Sequence, residues 1–199
     1  MMIRVQDFAL LPLVSRLLVA AGWAWFFVAF VFRRESGGAG TKRERISSMG
    51  IALQMLAFAL VWMIQRPLPA VGARLDALEI ARDVLAPLLA FGSIAMGLSA
   101  VRTLGRQWSY EARLIDGHKL VTEGPYRWVR HPIYTAMFGK LLASNFAFGA
   151  WPGLPIAGSI FVVGTLIRIR AEEKLMREAF GAAYEDYARR VPAFLPGLR

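Results

Sequence analysis

No cysteine occurs among the 199 residues of the chain. Disulfides, thiolate metal sites and cysteine nucleophiles are therefore excluded. Histidine is nearly as scarce: only His118 and His131 are present, with neither an HExxH motif nor a paired-histidine spacing. No metal site is expected from so thin a ligand supply. Acidic side chains are also short, 14 Asp and Glu against 24 Lys and Arg, for a net charge of +10. A phosphate-cradling loop is missing too. The one glycine cluster, Gly37-Gly38-Ala39-Gly40, has no strand before it and no GK[ST] after it, and reads as a linker.

What the chain has in excess is apolar surface. Hydrophobic residues make up 56% of it and its mean hydropathy is +0.44, where soluble domains average about 45–50% apolar. With the charge gathered into blocks, this composition describes an integral membrane protein. In such a protein a basic balance points to anionic lipid headgroups at the cytoplasmic face, and no nucleic-acid partner is expected.

Five apolar runs are long enough to consider as spans: Leu10–Phe32, Ile46–Ile64, Val84–Leu104, Pro132–Phe148 and Leu154–Ile169. The first, at roughly 34 Å for an α-helix, crosses a bilayer with some tilt. It is too long for a signal-peptide core and lacks a small-residue cleavage site, so it reads as a retained helix. Arg16 near its start is expected to snorkel to the interface. Between the second and third spans, Gln65–Asp83 carries charges and two prolines and reads as an interfacial helix or loop, amphipathic from Val71 to Ile80. The third span then has Pro87 in its first turn. The fourth and fifth form a tight hairpin through Gly149–Gly153, after which Arg170–Phe180 leaves the membrane and a short helix runs to Arg190.

Counting Lys and Arg orients the chain. Arg33–Arg45 holds five, Arg102–Arg130 six and Arg168–Arg199 seven, whereas the opposite side holds Arg4, Arg66, Arg74 and Arg82. The positive-inside rule then puts the N-terminus outside and the C-terminus in the cytoplasm. The 27-residue polar segment Gly105–His131 and the C-terminal tail share the cytoplasmic face, and that segment is too long for a mere connector. Residues 1–104 read as three N-terminal helices and 105–199 as a catalytic region.

Two clusters meet on that face. One runs from His118-Lys119-Leu120-Val121 through Gly124-Pro125-Tyr126 to Arg130-His131-Pro132-Ile133-Tyr134; the other is Arg168-Ile169-Arg170-Ala171-Glu172-Glu173 with Phe180-Gly181 and Tyr184 to Tyr187. Singly, these residues have bland readings. His131 before Pro132 suits a helix cap or a headgroup contact, and Tyr126, Trp128 and Tyr134 suit an aromatic belt. Lys140 and Asn145 suit packing or snorkelling, and Glu173 with Arg177 suits a solvated i,i+4 pair. Arg168 stands apart, because an ionisable side chain at the end of an apolar span faces a cavity or a partner.

Taken together, L-V-T-x-G-P-Y-x-x-x-R-H-P-x-Y, a short hairpin, and then R-x-R-x-E-E-x-L-x-x-x-x-F-G-x-x-Y-x-x-Y-x-x-R-V-P resemble the isoprenylcysteine carboxyl methyltransferase family. The resemblance covers Trp108–Pro192 and is to the compact prokaryotic members. It implies an all-α integral membrane enzyme of about five transmembrane helices, in the inner membrane of a prokaryote. The cytoplasmic cofactor pocket would be formed by the loop before the fourth helix and by the C-terminal helices. It implies S-adenosyl-L-methionine as methyl donor, with His118, Lys119, Leu120 and Val121 holding the adenosine. Tyr126, His131, Pro132, Ile133 and Tyr134 would hold the methionine and ribose, joined by Glu172. Arg168 would face a lipophilic acceptor entering from the bilayer. Whether Arg168 and Glu172 or Arg170 and Glu173 face the site is open at this stage; the membrane-end position favours the first pair.

A carboxylate acceptor is ionised at neutral pH and needs no base, whereas a phospholipid amine would require Glu172 or His131 to take a proton. A small thiol is a third acceptor class. A reductase of the sterol type, binding NADPH, and a non-catalytic membrane protein are the readings from other classes. The filled polar positions of the motif weigh against the last of these.

Overall fold

The computed structural model describes residues 10–31, 42–43, 47–70, 74–108, 113–114 and 117–195. Most of the Arg33–Arg45 loop, residues 71–73 and the segment carrying Arg4 lie outside them. Five helices form a bundle: α1 (Leu11–Val31), α2 (Ser47–Met63), α3 (Ala77–Leu104), α4 (Pro132–Phe148) and α5 (Gly153–Phe180). A sixth, α6 (Ala182–Arg190), follows the turn at Gly181, and a two-residue antiparallel pair joins Lys42–Arg43 to Arg113–Leu114. α1, α3 and α5 are long and apolar enough to cross a membrane. α2 and α4 have 17 residues each, about 25 Å of helix. The protein is an integral membrane protein.

The main packed pairs are α2 with α5, α3 with α4 and α1 with α3. Close approach of α2 to α5 rests on two glycines facing each other. A Cβ on Gly50 would lie 2.7 Å from the Gly164 carbonyl oxygen and 2.5 Å from Arg168 Cγ, and one on Gly164 would lie 2.8 Å from the Gly50 carbonyl oxygen. Small residues let two backbones touch where lipid supplies no hydrophobic drive. Here they bring Gln54 to Thr165, whose hydroxyl accepts from Nε2 at 2.9 Å.

α3 begins seven residues before the expected third span. Asp76 accepts from the Glu79 amide at 2.7 Å and Glu79 accepts from the Asp76 amide at 3.0 Å, a complete capping box that starts the helix at Ala77. The last part of the Gln65–Asp83 segment therefore belongs to α3 and is no loop, and Pro87 lies in the helix interior. Arg82 and Asp83 tolerate burial because α4 and Arg66 neutralise them. Arg82 donates to the carbonyls of Asn145 (3.2 Å) and Gly149 (2.8 Å) and lies 4.5 Å over the Trp151 ring. Arg66 pairs with Asp83. Arg16 does not snorkel outward; it donates to the Ala147 carbonyl at 3.0 Å and the Arg66 carbonyl at 2.9 Å. Three guanidinium groups thus cluster at the C-terminal, negative end of the α4 dipole and clamp one end of the bundle. The other end is left to the site.

Candidate active site

Glycine sets up the entry to α4. Gly124 has φ +58, and a Cβ there would lie 2.8 Å from Thr103 Oγ1, so only glycine fits the turn Gly124–Arg127 against α3 without strain. Pro132 occupies the first turn of α4, where its missing N–H costs nothing. His131 holds the N-cap position with φ −123 and ψ 63, yet its ring makes no capping bond. The helix-cap reading of this imidazole is thereby corrected.

The His131 ring lies instead between two carboxylates of α5. Nδ1 is 3.2 Å from Glu172 and Nε2 is 3.3 Å from Glu173. Burial alone would lower its pKa, but the hydrogen bonds and charges of Glu172 and Glu173 outweigh that and raise it. The ring stacks on Tyr134 with centroids 5.8 Å apart. Tyr134 donates its hydroxyl proton to Glu172 and accepts at 2.7 Å from Nε of Arg168. The Arg168 guanidinium lies 4.9 Å over the same ring, and its Nη1 donates to Gln54 at 3.4 Å.

Glu173 is not a solvated partner of Arg177. It is buried, accepts from Arg130 at 2.7 and 3.0 Å, and also accepts from Arg177 at 3.0 Å. Arg130 donates further to the carbonyls of Ala188 and Val191. The amides of Arg130 and His131 donate to the carbonyls of Pro192 (2.8 Å) and Ala193 (3.0 Å). The segment after α6 is thus strapped under the His131 turn, with Phe194 packed edge-on to Phe138. Arg170 is exposed, so of the two arginines it is Arg168 that faces inward.

A cavity of about 640 Å³ opens among these groups, within the ~300–1,000 Å³ usual for small-molecule sites. His118, Lys119, Leu120, Val121, Tyr126, His131, Pro132, Ile133, Tyr134, Arg168 and Glu172 all line it. Tyr126 in its wall is buried, and burial, with Glu172 nearby, pushes its hydroxyl well above the usual range. Tyr187 donates to the Tyr126 carbonyl at 2.6 Å and holds that wall. His118 packs near Phe180, burial lowers its pKa, and its Nδ1 has no hydrogen-bond partner among the described residues.

Apolar wall also comes from helices that carry no motif: Trp23, Phe26 and Phe27 of α1 and Ile51 and Met55 of α2, with Gln54 beside Arg168. Gln54 is a polar residue alone in the middle of an apolar run, a signal that marks a helix–helix or site contact. Which faces of α1 turn inward has no comparable mark in the sequence.

Residues 85–178 match the sequence profile of the isoprenylcysteine carboxyl methyltransferase (ICMT) family. Over that segment, just under half of its length, the chain is similar to this family. Among relatives, protein-S-isoprenylcysteine O-methyltransferase B of Arabidopsis thaliana is 36% identical over 104 residues, 49% of this chain and 51% of the relative. The nickel-cobalt-cadmium resistance protein NccN of Alcaligenes xylosoxydans xylosoxydans is 34% identical over 118 residues, 58% and 53% respectively. The protein-S-isoprenylcysteine O-methyltransferase of Mus musculus is 32% identical over 107 residues, covering 51% and 36%. The chain thus spans about half the length of the first two and less of the third. The family segment contains His131, Tyr134, Arg168 and Glu172, whereas Trp23, Phe26 and Gln54 lie outside it.

Proposed function

We propose that this protein is an S-adenosyl-L-methionine-dependent methyltransferase that methylates a lipophilic carboxylate, as in prenylcysteine O-methylation. The observation that carries the reading is one cavity whose wall joins the polar cluster of His131, Tyr134, Arg168 and Glu172 to apolar side chains of α1 and α2. A water-soluble donor and a greasy acceptor require both. The residues fit the donor. The unpartnered Nδ1 of His118, the backbone strip to Val121 and the buried Tyr126 suit an adenosine, and the Glu172 carboxylate suits an ammonium or ribose hydroxyls.

When bound, the donor supplies a methyl group already activated on a sulfonium. The protein's part is orientation and water exclusion, which are worth up to about 7–11 kcal/mol. Arg168, fixed by Tyr134 on one side and Gln54 on the other, would hold the acceptor carboxylate in line. Leu120, Val121, Ile133 and Leu175 keep water from that cluster. Glu172 already accepts from Tyr134 and faces His131, so it is committed to positioning rather than to proton removal. That favours an ionised carboxylate over an amine.

In this reading residues 105–199 form the donor cradle and residues 1–104 supply most of the acceptor chamber. The acceptor enters sideways between α1 and α2, where Phe27 and Met55 line the cavity and are also 66% and 63% exposed on the bundle surface. The site end faces the cytoplasm, with the N-terminus outside, in the inner membrane of a prokaryote. Exposed Arg102, Arg106, Arg170 and Arg127, the last lying 4.6 Å over Trp128, then meet anionic headgroups. The test is transfer of radiolabelled methyl from S-adenosyl-L-methionine to a farnesyl thioether carboxylic acid by detergent-solubilised protein. Absence of donor binding, or binding of NADPH in its place, overturns the reading.

A further inference from the structure

Lys140 is 2% exposed and lies at mid-length in α4. Among the described residues its Nζ has no hydrogen-bond partner. Its ammonium rests 4.9 Å from the Trp23 ring centroid and 5.9 Å from that of Phe26. On the far side it lies 3.3 Å from where a Cβ on Gly22 would be, so a larger residue there would crowd it. Buried cations in a membrane are costly, and they persist where they serve a ligand, a pathway or a partner. Rings compensate a cation only in part.

Lys140 is not itself a wall of the cavity, but its position on α4 places it directly behind that wall. Ile133, Tyr134, Ala136 and Met137 line the cavity, and Lys140 is four residues beyond Ala136 and three beyond Met137, on the same face one turn deeper. Both rings that hold the ammonium, Trp23 and Phe26, are themselves walls of the cavity. Six residues separate Lys140 from Tyr134, about 9 Å along the helix axis at ~1.5 Å per residue.

We propose that Lys140 is a specificity-determining residue that donates a hydrogen bond to an oxygen within the acceptor's apolar body, a carbonyl or carboxylate about 9 Å from the group held at Arg168. The occupant of this chamber is then a functionalised lipid with two polar points rather than a plain hydrocarbon tail. The cradle of Trp23 and Phe26 keeps the ammonium in place between ligands, and the acceptor oxygen supplies the counter-dipole that the rings supply weakly. The inference rests on the reading of the cavity as the acceptor chamber.

Equilibrium binding tests it without depending on methyl transfer. Two radiolabelled probes are used, a sixteen-carbon fatty acid and the same acid bearing a ketone about 9 Å from its carboxyl carbon. The wild-type protein in detergent is expected to bind the keto acid about tenfold more tightly. Lys140→Met is expected to bind the two alike, with S-adenosyl-L-methionine affinity unchanged as the check on folding, and Lys140→Arg to retain part of the preference. Equal binding by the wild type, no binding of either probe, or a preference that survives in Lys140→Met overturns the proposal. Loss of donor affinity in Lys140→Met together with a retained preference in Lys140→Arg supports it. Loss of donor affinity in both variants marks Lys140 as a packing residue and overturns it. Failure of the methyltransferase reading would show separately, as absent donor binding by the wild type.

Discussion

Arg168 and Tyr134 are locked to each other twice, by the 2.7 Å bond from Nε to the phenolic oxygen and by the guanidinium lying 4.9 Å over the ring. The two come from different helices, the two arms of the hairpin, so this contact ties α4 to α5 at the site. Tyr134→Phe keeps the stacking and removes the hydroxyl that also reaches Glu172. Hydrogen bonds to charged groups are worth about 1.5–3 kcal/mol, so methyl transfer should fall about ten- to hundredfold, mainly in kcat. Arg168→Ala should lower transfer by more than about a hundredfold while donor binding survives. Arg168→Lys should not rescue it, because a point charge cannot both stack on the ring and reach Gln54. Donor titration beside a transfer assay separates these effects.

His131 makes stability depend on pH. Its folded pKa is raised because the carboxylates of Glu172 and Glu173 outweigh burial. A raised folded pKa contributes stability that is full below the unfolded value, near 6.5, and is lost as pH rises through the folded value. Its charged neighbours are Glu172 and Glu173, with Arg130 and Arg177 competing for Glu173. Thermal stability in detergent should therefore fall as pH rises above about 6.5, a range in which His118, whose pKa burial lowers, is largely neutral in both states and adds little opposing slope. His131→Asn should flatten that slope. An unchanged slope in the variant would show that another group titrates.

The two ends of the bundle differ in how readable they are. α1 and α2 start and stop within a residue of the apolar runs because nothing interrupts hydrophobicity there. α3 begins earlier because Asp76-Ala77-Leu78-Glu79 is a capping signal, and because Arg82 and Asp83 find buried partners that no local pattern reveals. The candidate site residues around His131 and Arg168 come from the family resemblance, since each taken singly has a bland reading in the sequence. Glu173 stays an open alternative in the sequence: its i,i+4 relation to Arg177 suggests a solvated pair, and only the fold brings Arg130 from the other side. Lys140 was visible as a charge in an apolar run, but its place over Trp23 depends on how α1 packs.

The glycine contact beneath Arg168 gives a steric prediction. Gly164→Ala would put a methyl group 2.8 Å from the Gly50 carbonyl and 2.9 Å from Leu53 Cβ. Neither a backbone oxygen nor a packed neighbour yields without helix displacement, so the variant should lose about 1–3 kcal/mol. Because the same crossing seats Gln54 on Thr165, transfer should drop further than stability alone explains. Thermal unfolding and kcat measured on one preparation test the pair. A variant as stable and active as the parent would show that the crossing can open.

The lateral entry route has its own test, made clean by the absence of cysteine. Phe27→Cys and Met55→Cys each introduce the single thiol of the chain at a residue that lines the cavity and faces outward. A bulky maleimide on either thiol should obstruct an acceptor arriving through the bilayer and raise its apparent KM about tenfold. Such a change corresponds to ~1.4 kcal/mol at the entry step. Donor affinity should not change, because the donor's proposed contacts come from other residues. Labelling Ile156→Cys, exposed on α5 and no part of the cavity wall, provides the control. If the α1 and α2 labels leave acceptor KM at the control value, the acceptor enters elsewhere. If they weaken donor binding as well, the donor and acceptor sites are not independent.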